Sequence, residues 1–228
     1  MADSPVVDKI LPTLTREELR ALEDDPVIGL VEEDQWWTDL SEVERQSIRS
    51  AATRSLLARD LVWPTTDNRA ATDPDLALLL NTRSAPTWLL ALGERWLPGD
   101  GSSVPDSDAP RGAVLVCGTA EEDADNAVIC APVEGLYLNR LTTRELAVQA
   151  AADWMLRVPS DPDLVVQRTV DVLVPGLPRR HGLVMGVGKT DWVFTEVRPD
   201  GVDEDATPEP KDPEIVAAWL HTVLGGDA

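Results

Sequence analysis

The pattern of apolar and polar residues beyond residue 85 predicts several strands followed by a helix, twice in succession. Ala113–Leu156 contains short apolar runs with strand-like alternation and then apolar pairs at helical spacing. Such pairs mark the buried face of an α-helix packed on one side. A second strand-rich stretch begins at Val165 and also ends in a segment with helical periodicity. The pattern therefore predicts two βββα units, at 86–158 and 163–228.

The two predicted units resemble each other in sequence. The strand Ala113–Cys117 corresponds to Gly182–Gly186, and the closing helices align at the same spacing. The first strands, Trp88–Gly99 and Val165–Gly176, align at a different spacing. Two copies are too few for a solenoid. We therefore predict that the units share one core by pseudo-two-fold pairing, with the helices on one face of each sheet.

The sequence pattern of residues 1–85 predicts a mainly helical region N-terminal to these units. Helices are expected over Arg16–Glu23, from Ser41 to about Arg59, and over Pro74–Asn81, each preceded by a residue that can cap it. The sequence leaves open whether this region folds separately or joins residues 86–228 in one compact domain. The predicted class is α+β, with a mixed or antiparallel sheet core. In the longest helix, the residues expected to face the core are Leu40, Val43, Ile48, Ala51 and Ser55.

Trp36 and Trp37 are the candidate partner-binding residues. They directly precede the longest predicted helix and lie outside any regular apolar stripe. In an extended segment, adjacent side chains point to opposite sides, so one would be buried and the other free to contact a partner, where large aromatic residues dominate binding. The alternative is that both are buried.

The charge of the chain limits its partners. There are 41 acidic and 20 basic residues, for a formal charge of −21. Such a charge repels nucleic acid and attracts basic partners, and it argues against DNA contacts by the arginines of the longest helix. The alternative is a solvated acidic surface with no role in binding. Arg179–His181 is a small basic segment that could bind a carboxylate or phosphate, or be a solvated turn.

The sequence contains no pattern typical of catalysis. Gly186–Thr190 is similar to part of a phosphate-binding loop, but Leu183 occupies a position that requires glycine, and a strand pattern follows. Cys117 and Cys130, together with two histidines, lack the spacing of a zinc site. We therefore predict a non-enzymatic protein with no metal and no cofactor.

The expected location is the cytoplasm. The first ten residues contain two aspartates and no apolar core, unlike a signal peptide. No apolar run approaches the ~20 residues of a membrane span. The predicted partner is another protein, neither nucleic acid nor a membrane.

The order of parts resembles the actinobacterial EspG family, the substrate-binding chaperones of type VII secretion. The similar features are Leu14–Leu19, Arg54–Val62, Asp75–Leu79 and the two strand-rich units that each end in a helix. The resemblance implies a cytoplasmic, non-enzymatic chaperone or adaptor that holds one secreted protein soluble. This chain is shorter than the family and has more acidic loops, and no partner-contacting residue is carried over. A second hypothesis is an acidic immunity or inhibitor protein that neutralises a basic partner.

Overall fold

The computed structural model describes residues 8–22, 36–66, 70–98, 114–119, 126–157, 164–187, 191–198, 201–202, 209–210 and 213–225. The helices are α1 (Arg16–Leu22), α2 (Glu42–Ala58), α3 (Pro74–Ser84), α4 (Arg144–Met155) and α5 (Pro213–Gly225). Residues 36–39 are also helical. The strands are β1 (Lys9–Thr15), β2 (Val62–Pro64), β3 (Ala70–Thr72), β4 (Leu89–Pro98), β5 (Val114–Gly118), β6 (Asn126–Val133), β7 (Leu136–Thr143), β8 (Leu164–Leu173), β9 (Arg180–Val187), β10 (Asp191–Arg198), β11 (Gly201–Val202) and β12 (Glu209–Pro210). The predicted α+β class is confirmed.

One antiparallel sheet contains all the described strands except the β2–β3 hairpin. Its order is β1-β7-β6-β5-β4-β8-β9-β10-β11, and β12 also pairs with β10. β4 and β8 pair at the centre, from Leu89 opposite Leu173 to Pro98 opposite Leu164. The strands on the two sides of this pair follow in mirrored order, β5-β6-β7 on one side and β9-β10-β11 on the other. Both units contain more than the predicted three strands, with β4–β7 in the first and β8–β12 in the second.

The predicted alignment of the first strands is wrong. Leu90 of β4 and Val166 and Val170 of β8 pack into the core beneath α4 and α5. The alignment pairs Leu90 with Gln167. Gln167 directly follows Val166 in β8 and therefore points to the opposite face of the sheet. Successive residues of a strand point to opposite faces, so a shift by one residue exchanges the two faces. The alignment of Ala113–Cys117 with Gly182–Gly186 is wrong for the same reason, because it pairs Leu115, buried in the core under the N-terminal helices, with Val184, buried beneath α4 and α5.

Most buried residues of the closing helices occur at the spacing that aligns the two sequences. Trp154 of α4 and Val223 of α5, which the spacing of Ala113 and Gly182 pairs, are both partly buried against the same core. α4 and α5 contact each other on one face of the sheet. The aligned residues buried there are Ala147, Val148, Ala151 and Met155 in α4 and Val216, Ala217, Leu220 and Leu224 in α5.

The N-terminal region covers the other face of the first half of the sheet. β1 pairs with β7 at the sheet edge, so the region is less purely helical than predicted. Leu19 of α1, Leu56 of α2 and Leu76 and Leu79 of α3 form a second core with buried residues of β1 and β4–β7. The strands of the first half therefore carry packed helices on both faces.

The predicted core face of α2 is wrong. Ser41 caps this helix as expected, in a capping box with Glu44. Only Ala52 and Leu56 are buried, whereas Val43 is 76% exposed. The first turns of α2 therefore project away from the core. Three of the predicted core residues are exposed, namely Val43, Ala51 and Ser55.

Glu18 joins β1 and α1 to α2. Its carboxylate is 1% exposed and accepts hydrogen bonds from the Thr15 amide at 2.9 Å, the Ser55 hydroxyl at 2.7 Å and Arg59 Nη1 at 2.7 and 2.9 Å. Arg59 also donates to the carbonyl of Thr13. Burying a carboxylate is costly unless it is paired and hydrogen-bonded, and here both oxygens are satisfied.

The Glu18 network predicts a pH-dependent contribution to stability. Burial alone would raise the pKa of Glu18, but the hydrogen bonds from Thr15, Ser55 and Arg59 and the charge of Arg59 lower the pKa below its ordinary value. A lowered pKa contributes stability that is present at neutral pH and is lost as the pH falls below the ordinary glutamate pKa and through the folded one. We expect Glu18→Gln to lower the free energy of unfolding by about 1–3 kcal/mol at neutral pH.

Urea unfolding of Glu18→Gln and the wild type over a series of pH values measures this effect. The difference between them should shrink as the solution is acidified. Glu17→Gln is the matched control, because Glu17 is the exposed neighbour in the same helix and should change little. Equal losses in both variants, or a difference that persists in acid, would contradict the assignment.

Gly118 is required by its contact with Trp88. Trp88 is 6% exposed, and a Cβ at position 118 would overlap its indole ring. We expect Gly118→Ala to lower the free energy of unfolding by about 1–3 kcal/mol, because the ring must move in a packed core. A double-mutant cycle with Trp88→Phe should show that the smaller ring removes part of this loss. Strictly additive losses would show that the ring is not the cause.

Candidate interaction surface

The second half of the sheet, β8–β11, carries α4 and α5 on one face. Within the described part of the chain, its other face lacks a comparable layer of helices. α1 and α3 make their main sheet contacts with β1 and β5, not with β8–β10, and α2 contacts β2 of the separate hairpin. Equivalent residues of the first half, such as Leu115 and Cys130, are fully buried. We call this surface the open face; its residues are half-buried and mix polar with apolar types, namely Gln167, Thr169, Asp171, Leu173, His181, Leu183 and Thr195.

An apolar pocket of about 360 Å³ lies where the covered half meets the open face. Its walls come from the end of α3, the start of β4 and the connection between β8 and β9. Leu177 in this connection is 50% exposed. The volume is within the ~300–1,000 Å³ of binding pockets, and the lining is suited to an apolar group. The apolar lining residues are Ala85, Pro86, Leu89, Leu173, Val174, Pro175 and Leu177.

A polar cluster borders this pocket. Asp171 accepts hydrogen bonds from Arg179, at 3.0 Å to Nε and 2.7 Å to Nη2, and lies 2.8 Å from Nδ1 of His181. Burial would raise the pKa of Asp171, but hydrogen bonds from His181 and Arg179 and their charges lower it. Arg180 pairs with Glu196. The predicted basic segment Arg179–His181 is thus neutralised by two carboxylates, which removes the excess charge that a carboxylate or phosphate ligand would need.

The Asp171–His181 pair has the geometry in which an aspartate orients a histidine. Such a pair activates a nucleophile when a hydroxyl or thiol lies within hydrogen-bond distance of the imidazole. Among the described residues, Asp171 is the hydrogen-bond partner that the structure shows for His181. This arrangement is suited to holding the β8–β9 connection in place beside the pocket.

Arg168 is a buried charge whose role the sequence did not identify. Its Nε donates to Glu94 at 2.7 Å, and Nη1 donates to the carbonyls of Trp154, Met155 and Arg157 at the end of α4. Burial lowers the pKa of Arg168, against the opposing influence of Glu94. The guanidinium satisfies carbonyls that have no partner within the helix. The sequence signal that could have identified this role is the presence of an arginine within the β-branched run of β8.

Trp36 and Trp37 lie in a helical turn, not in the predicted extended segment. Both are half-buried, with ring centroids 5.7 Å apart. The Arg16 guanidinium lies 4.1 Å from the Trp36 ring centroid, and that of Arg49 lies 5.4 Å from the Trp37 ring centroid. Successive helical residues diverge by about 100°, so the two side chains are not forced to opposite sides. Neither one lines the apolar pocket.

Cys117 and Cys130 are buried on the neighbouring strands β5 and β6 and form no disulfide with each other. The described residues contain no group of three or more side chains placed to hold a metal ion. None of the described helices combines the length and apolar character that crossing a membrane requires.

No protein-family model matches this chain, and no curated protein is significantly similar to it. The resemblance to the EspG family therefore stays a prediction from the residues quoted above.

The half-buried state of the two tryptophans predicts moderate effects of their substitution. Trp36→Ala and Trp37→Ala should each leave the protein folded and cost less than the ~3–5 kcal/mol of a fully buried tryptophan. Trp88→Ala provides the buried comparison, since Trp88 is 6% exposed. Urea unfolding of the three variants measures the difference. A loss at either position as large as that of Trp88→Ala would show that the ring is part of the core.

Proposed function

We propose that this protein is a non-enzymatic protein-binding module that acts in the cytoplasm as a chaperone or adaptor for a partner protein. The observation that carries the proposal is the open face of β8–β10, with the apolar pocket at its boundary. The other half of the same sheet carries helices on both faces, so a partner that covers the open face would supply the layer that the described chain lacks.

The chemistry of this surface suits a protein partner. An apolar side chain that fills the pocket would contact Leu173 and Leu177 and serve as an anchor. Gln167, Thr169 and Thr195 of the open face provide hydrogen-bonding groups around it. Because Asp171 is already paired, the surface offers little uncompensated local charge. Binding here should depend mainly on apolar burial and hydrogen bonds.

The resemblance to the EspG family supports the same class of function. It implies a protein that binds one cognate secreted protein, as in type VII secretion, without chemical conversion of that partner. The charge of −21 adds long-range attraction for a basic partner.

A second candidate is an acidic immunity or inhibitor protein, and the same charge favours it. Such a protein would bind a basic partner by electrostatic complementarity. Salt distinguishes the two candidates, because ionic contacts weaken as salt screens them, whereas apolar contacts persist. A complex that survives high salt supports the adaptor, and one that dissociates steeply supports the inhibitor.

Affinity purification from the native host tests the proposed surface. The wild type and Leu57→Asp should retrieve the same partner, whereas Leu177→Asp should lose it while remaining folded in urea unfolding. Leu57 is the matched control, since it is a 41% exposed leucine on α2, outside the pocket. Retrieval by Leu177→Asp at the wild-type level would remove the pocket from the proposal, and a wild type that retrieves no protein reproducibly would end it.

A further inference from the structure

A second apolar surface lies on the face of the sheet that carries α4 and α5, at the β1 edge. It consists of Ile10, Val133, Leu136 and Leu138, which are 82%, 45%, 42% and 46% exposed. Val133 lies directly opposite Leu136, Leu138 follows on the same face of β7, and Ile10 of β1 lies opposite Arg140. The four side chains therefore share one face, and we call them the corner patch.

The corner patch is exposed because of the path of α4. This helix begins at the end of β7 and ends beside β8, where Arg168 binds its last carbonyls. It therefore crosses the sheet towards the centre and leaves the start of β7 and the end of β6 without a described cover. On the opposite face the same strands are packed, with Tyr137 and Leu141 buried. An exposed cluster of large apolar residues is typical of an interaction site.

The dimensions of the corner patch fit one helix. Neighbouring strands lie ~4.8 Å apart, so β6, β7 and β1 together span about 10 Å, the width of a helix. α4 and α5 already form a helical layer on this face, and a further helix beside α4 would extend it. Addition of a partner strand is disfavoured, because β1 contains Pro12 and an irregularity between Leu11 and Leu14.

The charges near the corner patch favour a basic partner. Glu134 lies exposed in the turn between Val133 and Leu136. At the other end, Arg140 is neutralised by Asp8, with Nε and Oδ1 2.6 Å apart. A second copy of this chain would bring another Glu134 and another net charge of −21, so repulsion disfavours a homodimer.

We propose that the corner patch binds a basic amphipathic helix of a partner protein, laid on the sheet beside α4. The helix would place apolar residues on Leu136, Leu138 and Val133 and a lysine or arginine near Glu134. This site uses residues other than those of the open face and does not depend on the function proposed above. With both surfaces occupied, the protein would bridge two partners.

A fluorescent peptide of about 14 leucines and lysines in an amphipathic helical pattern is the probe. Fluorescence anisotropy at about 0.15 M salt, where the Debye length is ~8 Å, reports its affinity for the full chain. One control peptide has the same composition in scrambled order, and another carries glutamate in place of lysine. The wild type should bind the amphipathic basic peptide at least about tenfold more tightly than either control. Equal binding of the scrambled peptide would overturn the proposal.

Variants of the chain locate the binding site. Leu138→Asp should weaken binding about tenfold or more, and Leu136→Asp replaces it if the first variant does not fold. Glu134→Lys should weaken binding of the basic peptide and improve binding of the glutamate peptide. Leu57→Asp and Leu177→Asp, exposed leucines elsewhere, should bind like the wild type.

Two outcomes would assign the corner patch differently and overturn the proposal. Loss of binding in Leu177→Asp, with Leu138→Asp unaffected, would place the peptide at the open face. Concentration-dependent self-association of the wild type that Leu138→Asp abolishes, measured by sedimentation, would assign the patch to a second copy of the chain. Because Leu177→Asp alone tests the open face, failure of one proposal leaves the other measurable.

Discussion

The pairing of β4 with β8 is the interaction on which the rest of the structure depends. These two long strands lie side by side over their whole length and join the halves of the sheet. Glu94 and Arg168 are directly opposite each other at this junction, and Arg168 also holds the end of α4. Because Arg168 is 3% exposed, removing a partner would leave a charge buried without compensation, which is strongly unfavourable. The junction therefore fixes how the two halves of the sheet are joined, and it fixes the position of the end of α4 on the sheet.

The two halves of the sheet have similar strand order but different cover. α4 and α5 lie on one face. Among the described residues, the N-terminal region packs on the other face mainly over the first half, and of the second half Leu173 of β8 packs against the same core. The N-terminal region is held there by β1 at the edge and by the Glu18–Arg59 pair within it. This unequal cover gives rise to both candidate surfaces. The open face lies where the N-terminal helices are not packed, and the corner patch lies where α4 turns towards the centre.

The candidate surfaces lie where the two layers of helices end, not at a cluster of reactive groups. The ionised side chains near the pocket are paired with one another, as in Asp171 with Arg179. The chemistry that the described residues offer at both surfaces is therefore apolar contact with polar surroundings, as the proposed binding of a partner protein requires. The two surfaces differ in charge, since the pocket is bordered by balanced pairs and the corner patch by Glu134.

The sequence by itself determined the local elements, because they depend on neighbouring residues. The capping box at Ser41, the cap at Asp73 and the buried stripes of α4 and α5 follow from spacing along one helix. Tertiary structure decided the features that join distant residues, such as the pairing of β1 with β7, the direction of α2 and the burial of Arg168. Trp36 and Trp37 show the same limit, since their surroundings include Arg16 and Arg49 from other helices. The open face and the corner patch could not be predicted, because exposure depends on which helix covers which strand, and that is a property of packing.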